Sequence, residues 1–267
     1  MSERTDRGPE GTPESAGTPE STGTPESAGT APARVAEFPK LRKKSVKLSY
    51  ATQLPEGATD LGHTFARWLG RRFFAFPYRV RAHNLERIPT TGGIVVVANH
   101  SSFVDGPLIF GVIKMPRRMV FLIKNEMFKG LVGAYLRSAG QLGVKRGEPD
   151  RATLIAAQKV LKAGGTLGVF PEGTRGDGDM ASAQQGAAWL ARTSGALIVP
   201  MAVRGARRPE GSRRRFLPVV DILVGEPFEA STAKGRQGLA EATEQVRDRL
   251  VALVAELDTR RGNGEAR

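Results

Sequence analysis

From about residue 78 onward, short apolar runs alternate with stretches of helical period. "YRVRAHNL", "GGIVVVAN", "RMVFLIKN", "QLGVKRG", "GTLGVFPEG", "ALIVPMAVRG" and "VVDILVGEPF" read as strands, most of them apolar on both faces. Between them, "GPLIFGVI" starts a helix, and "MFKGLVGAYLRSAG", "DRATLIAAQKVLKAG" and "SAQQGAAWLARTSG" repeat their apolar positions every three or four residues. Asp150 is placed to cap the third of these, and Gly164 follows its end. Near the C-terminus Leu239, Val246, Leu250, Leu253 and Leu257 share one face of a last helix, too short in heptads to demand a coiled coil. Buried strands alternating with amphipathic helices predict an α/β domain over residues 78–260, with a largely parallel central sheet flanked by helices.

The preceding segment has a different pattern. Residues 37–77 open with the basic "LRKKSVKLSY" and lead into "HTFARWLGRRFFAF", where helical spacing puts Phe65, Trp68, Leu69, Phe73 and Phe76 near one face and Arg67 and Arg71 off it. Such an amphipathic helix either packs its aromatics on the domain or lies in a membrane interface. Residues 1–36 repeat "GTPESA" with a period of six and carry no large apolar cluster, which predicts a disordered low-complexity tail.

Composition narrows the chemistry. There is no cysteine, so disulfides, a thiol nucleophile and thiolate metal sites are excluded. The net charge is +13; residues 1–36 hold three arginines against six acids, net −3, so the remainder carries +16. A body this basic attracts anions, whether lipid, nucleic acid, phosphorylated metabolite or acidic protein. No run approaches 18 apolar residues and no signal-peptide core is present, so neither a membrane span nor secretion is expected, and the cytoplasm is the default compartment.

Three polar clusters follow strand patterns directly: "NHSSFVD" after "IVVVA", "KNEMFKG" after "FLI", and "PEGTRGDG" after "TLGVF". In an open α/β sheet ligands gather outside the carboxyl ends of the strands, so parallel strands would bring these clusters to one rim. His100 and Asp105 are five apart, about 140° out of alignment on a continuous helix. A pair between them therefore needs a turn at His100 leading into a helix near Asp105. Such a pair makes a general base and its orienting carboxylate. Alternatively, Asp105 only caps a helix and His100 packs at a strand end. Ser101 and Ser102 lack a nucleophile elbow and suit turn hydrogen bonding. His63, His83 and His100 have no ligand-like spacing, so no metal is expected, and no nucleotide-binding fingerprint appears. "FPEGTR" sets a glycine and Arg175 where backbone and guanidinium groups can grip an anion, and Lys145 and Arg146 add charge.

In this order the stretches resemble the glycerophospholipid acyltransferase family, the PlsC-like 1-acylglycerol-3-phosphate acyltransferases. Asn99, His100 and Asp105 match N-H-x4-D; Lys145-Arg146-Gly147 is similar to a basic second block; Phe170 to Arg175 match F-P-E-G-T-R; and "LIVPMAV" with Pro200 looks like a fourth, apolar block. The resemblance spans about residues 78–225. It implies that His100 and Asp105 are catalytic. It further implies that Glu172, Gly173, Thr174 and Arg175, with Lys145 and Arg146, hold the glycerol phosphate. The activity implied is transfer of an acyl group from a thioester to the free hydroxyl of 1-acylglycerol 3-phosphate, giving phosphatidic acid in phospholipid biosynthesis. Acyl-CoA or acyl carrier protein would be the donor and lysophosphatidic acid the acceptor, with no cofactor. An anionic membrane surface on the inner face of the cell membrane is the expected location. Two other readings remain at this point: an acyltransferase for another lysophospholipid, and a noncatalytic basic module contacting membrane or nucleic acid through "RRPEGSRRR" (207–215), although nucleic acid is not expected as a partner.

Overall fold

A computed structural model of the chain describes residues 53–145, 150–171, 180–207 and 217–264, the side chains of 180–184 excepted. The repeat tail and most of the basic 207–215 stretch lie outside these residues. The strands are β1 (Arg79–His83), β2 (Ile94–Ala98), β3 (Met119–Lys124), β4 (Leu142–Val144), β5 (Thr166–Val169), β6 (Leu197–Arg204) and β7 (Val219–Val224). The helices are α1 (Asp60–Gly70), α2 (Asp105–Val112), α3 (Gly130–Ser138), α4 (Arg151–Lys162), α5 (Met180–Ser194) and α6 (Gly235–Gly262). The strands form one sheet in the order β1-β7-β6-β2-β5-β3-β4, largely parallel as the alternating pattern predicts. Every neighbouring pair is parallel except β6 and β7.

β2 sits in the middle, and all five of its residues are buried. Ile94, Val96 and Ala98 face a layer with Ala66 of α1 and Leu108, Ile109 and Phe110 of α2. Val95 and Val97 face the opposite layer, with Val160 and Leu161 of α4, Leu190 of α5 and Val246 and Leu250 of α6. A sheet covered on both faces explains strands that are apolar at every position. Each fully buried Val or Ile contributes about 1.5–3 kcal/mol, so this strand is anchored far more firmly than any surface loop.

Pro200 in the middle of β6 is unusual, because proline cannot donate to a ladder. Its position is tolerated at a bulge. Met201 pairs with Val224, yet Ile198 bridges Phe228, so the partner chain carries one extra residue between these contacts. Gly225 N–H still donates to Pro200 O at 2.9 Å.

The helix ends are capped as the sequence suggests for α4, where the Asp150 carboxylate accepts from Thr153 N–H. That bond holds the carboxyl below its ordinary pKa. At α1, Thr59 Oγ1 accepts from Gly62 N–H at 3.0 Å. α6 is clamped to the sheet by ion pairs, Arg204 with Asp258 at 2.7 Å, and Arg261 with the buried Asp221, which also meets His83 Nε2 at 3.2 Å.

α1 docks by the side opposite to its large aromatics. His63, Ala66 and Gly70 are its buried residues, whereas Phe65, Trp68, Phe73 and Phe76 are 55–68% exposed. Packing of the aromatics on the domain is therefore not what the fold does with them. Close approach at Gly111 makes the docking possible, since a Cβ there would come within 2.8 Å of Arg71 N. At this contact α1 widens into a π-helical turn, Arg71–Ala75.

His63 is fully buried against the edge of Phe110, and its Nδ1–H donates to Ala139 O at 2.8 Å. Burial pushes its pKa down to about 4. The folded state therefore holds it neutral while the unfolded chain takes up a proton below pH 6.5, so its stabilisation is complete above pH 6.5 and is lost as the pH falls toward 4. The loss should reach up to about 3 kcal/mol. Urea unfolding at pH 7 and pH 4.5 should show the wild type losing more stability than His63→Gln; equal losses would place the acid sensitivity elsewhere.

Candidate active site

The chemistry-bearing turn begins where β2 ends, and two side chains fix it. Asn99 is 2% exposed and its amide replaces the next rung of the sheet: Nδ2 donates to Val203 O at 3.0 Å, and Val203 N–H donates to Oδ1 at 2.7 Å. The following residue, His100, is thereby delivered one step beyond a pinned point. Asp105 is the first residue of α2 and is fully buried. Its Oδ2 accepts the backbone N–H groups of Ser101 and Ser102 at 2.7 Å each, so the carboxylate holds the whole turn in shape.

His100 Nδ1 lies 3.6 Å from the same Oδ2. That is longer than a hydrogen bond, and such catalytic contacts commonly tighten only when substrate binds. The two alternatives left open by the sequence are thus combined: one carboxylate both organises the helix entry and faces the imidazole. The serines serve through their backbone, as turn donors. The imidazole is partly open, with 24% of its side chain exposed. Its face stacks on Phe170, centroids 4.4 Å apart and planes at 28°, and Phe170 in turn stacks on Phe121 at 5.5 Å and 11°.

Strand direction shows what else shares this rim. β2, β3, β4, β5 and β6 all point their carboxyl ends the same way, which brings His100, Phe170 and Lys145 to one end of the sheet. Lys145 is exposed just beyond β4. Arg146 and Glu172, Gly173, Thr174 and Arg175 lie outside the described residues. Because β7 runs against β6 and β1 runs with β7, β1 begins at this same end. α1 also approaches it: Gly62 lies by Ser138 at the far end of α3, Tyr135 O–H donates to Ala66 O, and Gly70 lies by Pro107 at the start of α2. The exposed aromatics therefore lie on the segment that leads into β1, whose first residue is at this end of the sheet. An open groove of about 670 Å³ beside them is lined by Trp68, Arg71, Arg72, Phe76 and Tyr78, and Arg72 stacks its guanidinium 4.8 Å over Phe76.

The acyltransferase family model matches residues 79–204, from β1 to the end of β6, a span that contains both His100 and Asp105 and the FPEGTR block. Residues 79–204 thus carry an acyltransferase-family domain. Among curated relatives, the 1-acyl-sn-glycerol-3-phosphate acyltransferase of Bacillus subtilis is 29% identical over 184 residues, 67% of this chain and 90% of that protein. The chloroplastic 1-acyl-sn-glycerol-3-phosphate acyltransferase of Arabidopsis thaliana is 30% identical over 190 residues, 66% of this chain and 52% of that protein, so the match spans about half of its length. Among solved structures, the 1-acyl-sn-glycerophosphate acyltransferase PlsC of Thermotoga maritima aligns with a TM-score of 0.55 at 29% identity, over 73% of this chain and 79% of that one.

For this acyltransferase, sequence reasoning identified Asn99 only as part of a motif and gave no role to Phe170 or Phe121. The alternation in "TLGVF" does place Gly168 and Phe170 on one face, a signal that was available. Asn99→Leu should remove both bonds and strand the buried Val203 backbone, destabilising the protein by about 2–4 kcal/mol. Denaturant unfolding should register this as a lowered midpoint at unchanged slope, and no shift would mean the strand end holds without the amide.

Proposed function

We propose that this acyltransferase moves a fatty acyl group from an acyl thioester to the free hydroxyl of 1-acylglycerol 3-phosphate, forming phosphatidic acid for phospholipid synthesis. The observation that carries the reading is the partly open His100 held against the buried Asp105 at the rim of the acyltransferase domain. Nδ1 faces the carboxylate, so the base is Nε2, on the far edge of the ring. It takes the proton of the acceptor hydroxyl as the oxygen attacks the thioester carbonyl. Asp105 stabilises the imidazolium so formed. Collapse of the tetrahedral intermediate breaks the C–S bond, and the proton passes to the departing thiolate. The products are one ester and one free thiol, with no acyl-enzyme.

By motif, Glu172, Gly173, Thr174 and Arg175 would bind the acceptor phosphate, assisted by Lys145 and Arg146. The donor would be acyl-CoA or acyl carrier protein, both anionic and suited to a basic body. No helix among the described residues is long and apolar enough to cross a membrane. The exposed Phe65, Trp68, Phe73 and Phe76, set beside Arg71 and Arg72, suit peripheral docking on an anionic leaflet, with the catalytic rim turned toward its lipid acceptor.

Release of free thiol from a long-chain acyl-CoA should require both lysophosphatidic acid and His100, with His100→Ala losing at least about a thousandfold in kcat, in line with removal of a general base and its electrostatics. Its melting temperature should stay within about 4 °C of wild type. Thiol release by His100→Ala at the wild-type rate would discard this mechanism. If wild type is silent with acyl-CoA, acyl carrier protein and other lysophospholipids are the next substrates; silence with these too would favour a noncatalytic binding module.

Membrane docking makes a separate prediction. In sedimentation with vesicles containing anionic phospholipid, the double variant Trp68→Ser, Phe73→Ser should bind at least about tenfold more weakly than wild type, given roughly 1.5–3 kcal/mol for burying one large apolar side chain. Undiminished binding would move the contact off this patch.

A further inference from the structure

The register across three strands builds an aromatic column beneath the proposed base. Phe121 of β3 stands directly opposite Gly168 of β5. A Cβ on Gly168 would lie 2.3 Å from the Phe121 ring, so the missing side chain is the space into which that ring folds. Phe170 is two residues further along and therefore on the same face, and its ring lies nearly parallel to Phe121. Val97 of β2 pairs with Val169, which carries His100, just past the end of β2, to the neighbouring position on that face. The result is a diagonal of three flat rings, Phe121, Phe170 and His100, running across β3, β5 and β2.

The carboxylate of Asp105 faces one edge of the imidazole, at Nδ1, whereas Phe170 covers the face of the ring. We propose that Phe170, backed by Phe121, is a positioning residue for acyl transfer: its ring is the platform that sets the plane of His100 and so the direction in which Nε2 meets the acceptor hydroxyl. The platform also acts differentially. A neutral imidazole gains little from an aromatic face, but the imidazolium formed during attack is drawn to the negative π surface. The contribution therefore appears in kcat more than in KM. Charged or polar side chains at position 170 would keep neither property.

The inference rests on His100 being the base, and the experiments separate the two. The chain has only three histidines, so the imidazole C–H protons form a small NMR set that assigns by His63, His83 and His100 substitution. In wild type the His100 ring protons should be shifted upfield by the Phe170 ring current. In Phe170→Leu that shift should vanish, kcat for thiol release should fall about tenfold, KM should stay within about twofold, and Phe170→Tyr should restore both signal and rate. Phe121→Leu, which leaves Phe170 in place without its backing, should give a smaller loss of both. Absence of the upfield shift in wild type would overturn the platform, as would a Phe170→Leu enzyme with full kcat or one whose loss Tyr does not rescue. Loss of the shift with activity independent of His100 would instead indict the base assignment and leave the stack standing.

Discussion

Burial of β2 on both faces is the constraint from which the rest follows. A strand with apolar layers above and below and hydrogen-bonded neighbours on either side has no polar outlet except its end. The sequence meets that boundary with Asn99, whose side-chain amide imitates a peptide group and pairs with Val203 as one more rung would. The chain can then turn without leaving the backbone of β6 unpaired. His100 stands immediately after this pin, and its position inherits the rigidity of the sheet. Asp105 completes the turn by gathering two backbone N–H groups, so the residue proposed to tune the imidazole is also the one that gives the loop its shape. Removing that carboxylate changes geometry and electrostatics together.

Much of this was legible in the sequence, because buried strands and amphipathic helices differ in period. The alternation of strands and helices in an α/β domain, the turn between His100 and Asp105, the Asp150 cap and the C-terminal helix all follow from apolar spacing and polar punctuation. Other features depend on pairing that no local pattern encodes. An asparagine after a strand looks like any turn residue until Val203, 104 residues away, is beside it. Phe121, Phe170 and His100 belong to three different strand segments and become neighbours only through register. Pro200 sits inside a run that reads as a strand, and the bulge that admits it depends on where Phe228 meets Ile198. Roles for Glu172 to Arg175 rest on motif resemblance and on the anion-gripping chemistry of a glycine and an arginine close together in sequence.

The aromatic helix illustrates a different limit. Helical spacing located its apolar face correctly but could not say which way that face points. The docked side is formed by small residues, Ala66 and Gly70, with the buried His63, and closes on α2 through Gly111. Small residues permit closer helix approach than large aromatics would, so the large ones are left outside. Hydrophobicity alone is a poor guide where backbone proximity decides the contact.

The antiparallel pairing of β6 and β7 decides where this exposed face lies along the chain's path into the sheet. If β7 and β1 ran with the rest of the sheet, β1 would begin at the end opposite His100, and the helix leading into it would belong to that far end. Reversal at β6 and β7 turns β1 around, so the chain enters β1 at the His100 end of the sheet, directly after the segment that carries the exposed aromatics. Under the proposed function, a lipid-facing surface and a base that reaches a lipid hydroxyl have to share one end of the molecule if the acceptor is to stay in its leaflet during reaction. The strand reversal brings the start of β1, and the segment leading into it, to the His100 end by topology, before any side chain at the rim is specified.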